Sequence, residues 1–342
     1  MVFGGDSMSS AAFRGIFTIP ATPFTEDFEI DWEGERRVLD FCVDCGAHGI
    51  VWPVNASGFP VLTDEERLKG FEVVTEQVAG RAPVILGVQG TSGKHASKLA
   101  KRANEVGADG VIAMAPYVQE IEDEDTLIDY YQAIDREVDI PIFIQNHARG
   151  SVLTVDTMIR ILNEVEHVEY VKEETFPVTH VITKLIERGG EKLKGVFGGA
   201  GGRYLLQEHP RGCAGQMPGC HITDVLVKFW NALDSGDRVE AKRLYGLIAP
   251  LFALETLKGS SYPEVLRRRG VIDNVYSRLT KTFPLMDEHD HLAIDDALRD
   301  LEPEFTWSGG PLKFGGPEGA SGSGKQVSSQ GSGGVDTFDR VG

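Results

Sequence analysis

Lys172 lies in the run VEYVKEE (168–174), a short apolar stretch with strand character, and no other residue in the chain sits where its type suggests so specific a chemistry. Period-two alternation puts its side chain on the same face as Tyr170. If that face is buried, desolvation lowers the ammonium pKa from about 10.4 toward the range where the free amine attacks a carbonyl carbon, as in Schiff-base lysines. A lysine in a packed interior is costly unless paired or neutral. The competing reading is therefore a strand-end lysine held by Glu173 or Glu174.

Two further candidates follow from the same alternation. Glu174 lies two residues beyond Lys172 on the same side of an extended strand and is a candidate proton carrier, against the alternative of an ion pair with a neighbouring helix. The run PIFIQN (141–146) leads to Gln145, Asn146 and His147. His147 shares Gln145's face and is a competent general acid or base near neutral pH, although an ordinary loop histidine is equally compatible with its position. Gln145 can orient a carbonyl or a water but cannot titrate. The segment GVFGGAGGRYLL (195–206) offers Gly199 to Gly202, with Arg203 beside them, either as a cradle for a phosphate or second carboxylate or as a site of close backbone packing. GVQGTSGKHAS (87–97) is no phosphate loop, because no Ser or Thr follows Lys94.

These residues need elements to hold them. Eight apolar runs recur along the chain, at 15–24, 48–56, 83–90, 110–116, 141–146, 168–174, 195–200 and 213–219, with helix-like segments between them. Most of the runs are near-continuous, which suits parallel strands covered on both faces. Helix punctuation supports the alternation: Thr63 with Glu66 forms a capping box, Thr154 and Asp156 open another helix, and Gly107 closes one. The pattern predicts an α/β fold, a closed (β/α)8 TIM barrel over residues 13–220, with an open doubly wound sheet as the alternative. Residues 221–305 read as a helical C-terminal appendage, and residues 1–12 and 306–342 as a flexible N-terminus and a flexible Gly/Ser-rich tail. In such a barrel the strand ends select Asn55, Ala56, Ser57, Tyr117, Asn146 and Gly199 as further site candidates.

Composition bounds the function. The 342 residues carry 34 basic and 52 acidic side chains, a net charge of −18, and 41% are hydrophobic. That apolar content excludes a wholly disordered chain, and the acidic balance argues against a nucleic-acid partner. No run approaches the roughly 18 apolar residues of a membrane span, and the first dozen lack a signal-peptide pattern, so a cytoplasmic protein without membrane association is expected. Cys42 and Cys45 form a CxxC, but Cys213 and Cys220 do not repeat it. Buried structural thiols are expected, with neither metal nor organic cofactor.

The YVKEE lysine on the sixth run, NASGFPVLTDEER after the second, the eight-strand layout and the helical C-terminal region together resemble the dihydrodipicolinate synthase and N-acetylneuraminate lyase family of Schiff-base aldolases, over about residues 15–300. The resemblance implies an iminium between Lys172 and a 2-oxo acid such as pyruvate, hence an aldolase or a hydratase/dehydratase, in a homo-oligomer that is commonly a tetramer. The chain departs from the family elsewhere. Val54-Asn55-Ala56-Ser57-Gly58 stands where the family has Gly-Thr-Thr-Gly-Glu, leaving the Asn55 amide, the Ser57 hydroxyl and backbone N–H groups to hold a carboxylate. Gln145 stands where the family has its proton-carrying tyrosine, and Val118 where it has a second one. His147, Glu174, or a substrate group or water remain as carriers, and the other class of reading is a catalytically silent barrel that binds a small carboxylate or serves as a structural oligomer. The lysine favours the enzyme.

Overall fold

Near-continuous apolar runs are stable where both faces of a strand are covered, and all eight runs become parallel strands of one closed barrel: β1 (Gly15–Thr18), β2 (Gly49–Trp52), β3 (Val84–Gly87), β4 (Gly110–Met114), β5 (Ile142–Asn146), β6 (Val168–Glu173), β7 (Gly195–Gly198) and β8 (Gly215–Gln216). The closure is made by Gly15 pairing with Gly215. The computed structural model describes residues 13–257, 261–278 and 286–315. Seven helices connect the strands in order: α1 (Trp32–Asp44), α2 (Asp64–Val78), α3 (Gly93–Glu105), α4 (Glu124–Asp135), α5 (Val155–Glu164), α6 (Val178–Arg188) and the single turn α7 (Leu205–Glu208). The capping box at α2 is formed: Glu66 N–H donates to the Thr63 hydroxyl at 3.2 Å and Thr63 N–H to the Glu66 carboxylate at 2.8 Å. Thr154 caps α5, and Gly107 follows α3 at φ 82°, a conformation that costs glycine little. The chain is thus a (β/α)8 TIM barrel with C-terminal helices.

The barrel interior is an aromatic plug below the site. Phe143 and Tyr170, paired in register on β5 and β6, stack with ring centroids 4.5 Å apart, and Phe17 meets Phe197 edge-on at 5.1 Å. Phe13 stacks beneath them on Phe143 at 5.9 Å, and its N–H donates to the Tyr170 hydroxyl. The next layer up on the same two strands is the registered pair Gln145 and Lys172. The plug therefore sets the floor on which the lysine stands.

Among the described residues, four helices follow the barrel: α8 (Thr223–Asp234), α9 (Arg238–Leu257), α10 (Ser261–Arg268) and α11 (Glu288–Leu301). Asp224, buried at the start of α8, receives both Nη atoms of Arg269 at 3.0 and 2.7 Å and the Thr306 N–H at 2.9 Å. The first residues of the segment expected to be a tail make contacts with the helices. Trp307 packs edge-on against Phe41 at 4.9 Å, Lys313 N–H donates to Arg268 O, and Gly315 N–H to Asp295, so residues 306–315 dock on α1, α10 and α11. A Gly- and Ser-rich composition hid one tryptophan and a set of backbone donors for which the helices supply acceptors. Residues 1–12 and 316–342 lie outside the described residues. Among the described residues no helix is long and apolar enough to cross a membrane, and the four cysteines are free and buried.

Because Asp224 neutralises a buried guanidinium and ends two backbone N–H bonds, Asp224→Asn is expected to lower stability by about 3–5 kcal/mol. Chemical denaturation of the two proteins measures this, and a loss below about 1 kcal/mol would show that the docked segment and Arg269 find other acceptors.

Candidate active site

The ends of β5 and β6 bring the central groups together. Lys172 is 2% exposed, and its Nζ lies 3.0 Å from Glu174 Oε2. Gln145, registered opposite Lys172, donates its amide to that same oxygen at 2.8 Å. The other carboxylate oxygen accepts the Ala200 N–H at 3.4 Å. Of the partners open to Lys172, Glu174 is the one taken, and Glu174 pairs inward with the lysine rather than with a helix. Burial pushes the Glu174 carboxyl up, but the Lys172 charge, His147 and the Gln145 amide outweigh it and hold the group below its ordinary value. The site thus keeps an ionised carboxylate against a lysine at the mouth of a closed barrel.

His147 is half-buried just beyond β5, within the field of both Lys172 and Glu174. Burial holds it below its ordinary pKa, with Lys172 and Arg149 adding to the effect and Glu174 opposing it. Its Nδ1 accepts the Arg149 backbone N–H at 2.9 Å, so the neutral ring carries its proton on Nε2. It is a neutral donor beside the pair.

Alternation also turns two residues away. Asn146 points out of the barrel, where its amide bonds the backbone of Leu153 in both directions, at 3.0 and 2.9 Å, and the Glu173 carboxyl at 2.9 Å. Asn146, a candidate substrate contact, is placed so that its side chain ties the loop after β5 to β6. Glu173, its partner, is raised to about 6 by burial, with Thr175 and Asn146 holding it down in part.

At the β2 mouth, Asn55, Ala56 and Ser57 make one helical turn, followed by Gly58 in the left-handed region at φ 78°. Ala56 packs on the cluster that fills the barrel interior. Both amide atoms of Asn55 and the Ser57 hydroxyl are buried without a partner. Buried polar atoms are ordinarily satisfied by protein, water or ligand, so this turn presents polar groups in need of one. Tyr117 stands edge-on to Phe59 at 5.3 Å, near the buried Arg67, whose guanidinium donates to the carbonyls of Gly87 and Gln89. It lines a cavity of about 180 Å³ shared with Arg149 and Val152, whose walls do not include Lys172. Val118, beside it, is 74% exposed.

Of the two readings of the glycine loop, its surroundings favour close packing over an anion cradle. Arg203 turns to the Phe252 carbonyl at 2.8 Å, and carboxylates flank the loop on both sides: Glu174 at Gly199 and Glu255, from α9, at Gly201. A phosphate there would meet like charge. A side chain on Gly199 would collide with Glu174, so glycine is needed for close approach. Sequence reasoning missed Glu255, Tyr262 of α10 and Glu208 of α7, because no local pattern links positions so far along the chain to a barrel mouth. Glu208 is buried behind β7 and β8, where the Gln216 amide donates to it. Burial, aided by the charges of Glu174 and Glu173, raises it to about 8. Among the described residues no group of three or more His, Cys, Asp or Glu is placed to hold a metal ion.

The profile of the dihydrodipicolinate synthetase family matches residues 12–279. The chain is 30% identical over 275 residues to the L-2-keto-3-deoxyarabonate dehydratase of Azospirillum brasilense, covering 78% of this chain and 88% of that protein. It is 29% identical over 269 residues to the 4-hydroxy-tetrahydrodipicolinate synthase of Chloroherpeton thalassium, covering 75% and 85%. The crystal structure of dihydrodipicolinate synthase from Aquifex aeolicus superimposes with a TM-score of 0.77 at 25% identity, covering 86% of this chain and 99% of that one.

Glu208 gives a pH test of this buried layer. Its folded pKa of about 8 lies above the ordinary 4.5, so between those values the folded protein binds more protons than the unfolded chain and stability falls as pH rises. Between pH 6.5 and 8.5, Glu208→Gln is expected to remove about 2 kcal/mol of that fall. Denaturation midpoints of both proteins at the two pH values measure the difference, and equal falls would mean that Glu208 ionises freely.

Proposed function

The chain belongs to the dihydrodipicolinate synthetase family and is a lyase of the class I aldolase type, and from that premise we propose that it acts on a 2-oxo acid through an iminium on Lys172, with Glu174 moving the protons. The observation that carries the proposal is the buried Lys172–Glu174 pair with Gln145 bonded to the same carboxylate oxygen. Glu174 takes a proton from the Lys172 ammonium, and the free amine adds to the C2 carbonyl. The proton returns to the carbinolamine hydroxyl, which leaves as water, so that an iminium cation replaces the ammonium beside an ionised Glu174. The local charge is the same before and after, which spares the barrel mouth an unpaired carboxylate.

From the iminium, Glu174 accepts the C3 proton and the electron pair passes to nitrogen as the enamine. A hydroxyl at C4 then leaves as water once protonated. Alternatively, from the iminium with its C3 protons in place, deprotonation of that hydroxyl breaks the C3–C4 bond, the electron pair enters the enamine and an aldehyde is released. The 30% identity to a protein named as a keto-deoxy sugar acid dehydratase supports an open-chain, hydroxylated 2-oxo acid as substrate. In the proposal, Gln145 orients the carboxylate as a non-titrating stand-in for a phenol, and His147 offers an Nε2–H to the leaving oxygen. The unpartnered Asn55 amide and Ser57 hydroxyl hold the substrate carboxylate. Nothing in the scheme calls for a metal or organic cofactor. A homotetramer remains part of the proposal, to be read by sedimentation.

Borohydride reduction in the presence of pyruvate is expected to fix an adduct on Lys172, seen by mass spectrometry and absent from Lys172→Arg. A folded protein that yields no adduct with any 2-oxo acid would refute the iminium. In Glu174→Gln, turnover should fall by about 10²–10⁴-fold. A pH–rate profile that is the same in Glu174→Gln and wild type would assign the proton elsewhere.

A further inference from the structure

The loop after β7 is clamped between two carboxylates from different parts of the chain. On one side, Glu174 Oε1 accepts the Ala200 N–H and sits against Gly199. On the other, Glu255 of α9 sits against Gly201. Between them Ala200 (φ 51°), Gly201 (φ 68°) and Gly202 (φ 89°) are consecutive left-handed residues, and Ala200 is one of few non-glycine residues in that region. Such a conformation persists when the surroundings over-determine it. Glu255 is held in turn by α10 and by the segment after β8. The Tyr262 hydroxyl donates to Glu255 Oε2 at 3.3 Å, and the His221 Nε2 lies 3.0 Å from Oε1, at ion-pair distance although out of line for a hydrogen bond. The His221 and Tyr262 rings stack at 4.5 Å, and Tyr262 packs against Gly219. All three side chains are largely buried, Glu255 at 4% and His221 at 1% exposure.

We propose that Glu255, fixed by Tyr262 and His221, is a positioning residue for the reaction: it holds the 199–202 loop in its left-handed form so that the Ala200 N–H stays aimed at Glu174. The inference rests on the reading of Glu174 as the proton carrier. It assigns the C-terminal helices a part in catalysis, with Glu255 acting on Glu174 through the loop, while Tyr262 also lies within the field of Glu174. A carboxylate displaced by about 1 Å from a C3 proton can cost a proton transfer up to 10²-fold, whereas the iminium fraction at equilibrium does not depend on how fast its protons move. The step concerned is the one in which the C3–H bond breaks, its electron pair enters the enamine and its proton goes to Glu174.

Two readouts on the full-length protein separate this from a general structural role. With pyruvate in D₂O, exchange at C3 is followed by NMR, and the iminium fraction by borohydride trapping on Lys172. In Glu255→Ala, exchange per trapped molecule is expected to fall by about ten- to a hundredfold. Glu255→Gln, which keeps an oxygen against Gly201 and an acceptor for the Tyr262 hydroxyl, should recover most of it. If Glu255→Ala does not fold, Tyr262→Phe removes a single hydroxyl and should lower the same ratio about two- to fivefold. An unchanged ratio in the folded variants, or trapping and exchange that fall in parallel, would overturn the proposal. Glu174→Gln locates the failure. If it slows exchange while Glu255→Ala does not, the positioning role alone is wrong, and if it leaves exchange intact, Glu174 is not the carrier and both readings fall.

Discussion

The site depends on one buried ion pair. Lys172 and Glu174 face each other 3.0 Å apart at the mouth of the barrel, and neither is affordable there without the other. Removing a lysine from water costs several kcal/mol, and the attraction of a carboxylate offsets that only when the remaining oxygens and protons are also bonded. Gln145, from β5, and the Ala200 N–H, from the loop after β7, meet that condition. The proposed iminium would carry the same charge as the ammonium, so the environment that keeps the resting lysine in place would suit that form as well.

The barrel supplies this pair by register and by plugging itself. Gln145 lies opposite Lys172 because Phe143 lies opposite Tyr170 one layer down, and the stacked rings leave no room for either polar side chain to sink. Outside the strands the same alternation builds a separate polar layer, with Asn146 on Glu173 and Gln216 on Glu208. Burial raises both of those carboxyls, to about 6 and about 8, while the lysine holds Glu174 low. The adjacent Glu173 and Glu174 are thus given different proton affinities by which side of the strand they face.

Alternation and apolar periodicity made much of this legible in the sequence. All eight strands follow from near-continuous apolar runs, and the inward face of Lys172, Glu174 and Gln145 follows from counting by twos. The same count places Asn146 outside, where Leu153 and Glu173 take up its amide. Glu255, Tyr262 and Glu208 were not legible, because their importance arises from contacts closed by the barrel and its C-terminal helices across long stretches of chain. Nor was the docking of residues 306–315, where composition suggested a free tail and Asp224 provides the acceptor that fixes it. The proposal of Glu174 as proton carrier rests on distance, since Glu173 and Glu174 are adjacent in sequence and opposite in orientation.

The most direct test of the ion pair is the titration of the Glu174 carboxyl followed by carbon-13 NMR in the wild-type protein and in Lys172→Met. With the lysine present, the group is expected to titrate below the ordinary range for glutamate, and with methionine in its place to titrate above that range, because burial then acts unopposed. The same midpoint in both proteins would show that Lys172 does not set the charge of Glu174, and the pair would lose its place at the centre of the site.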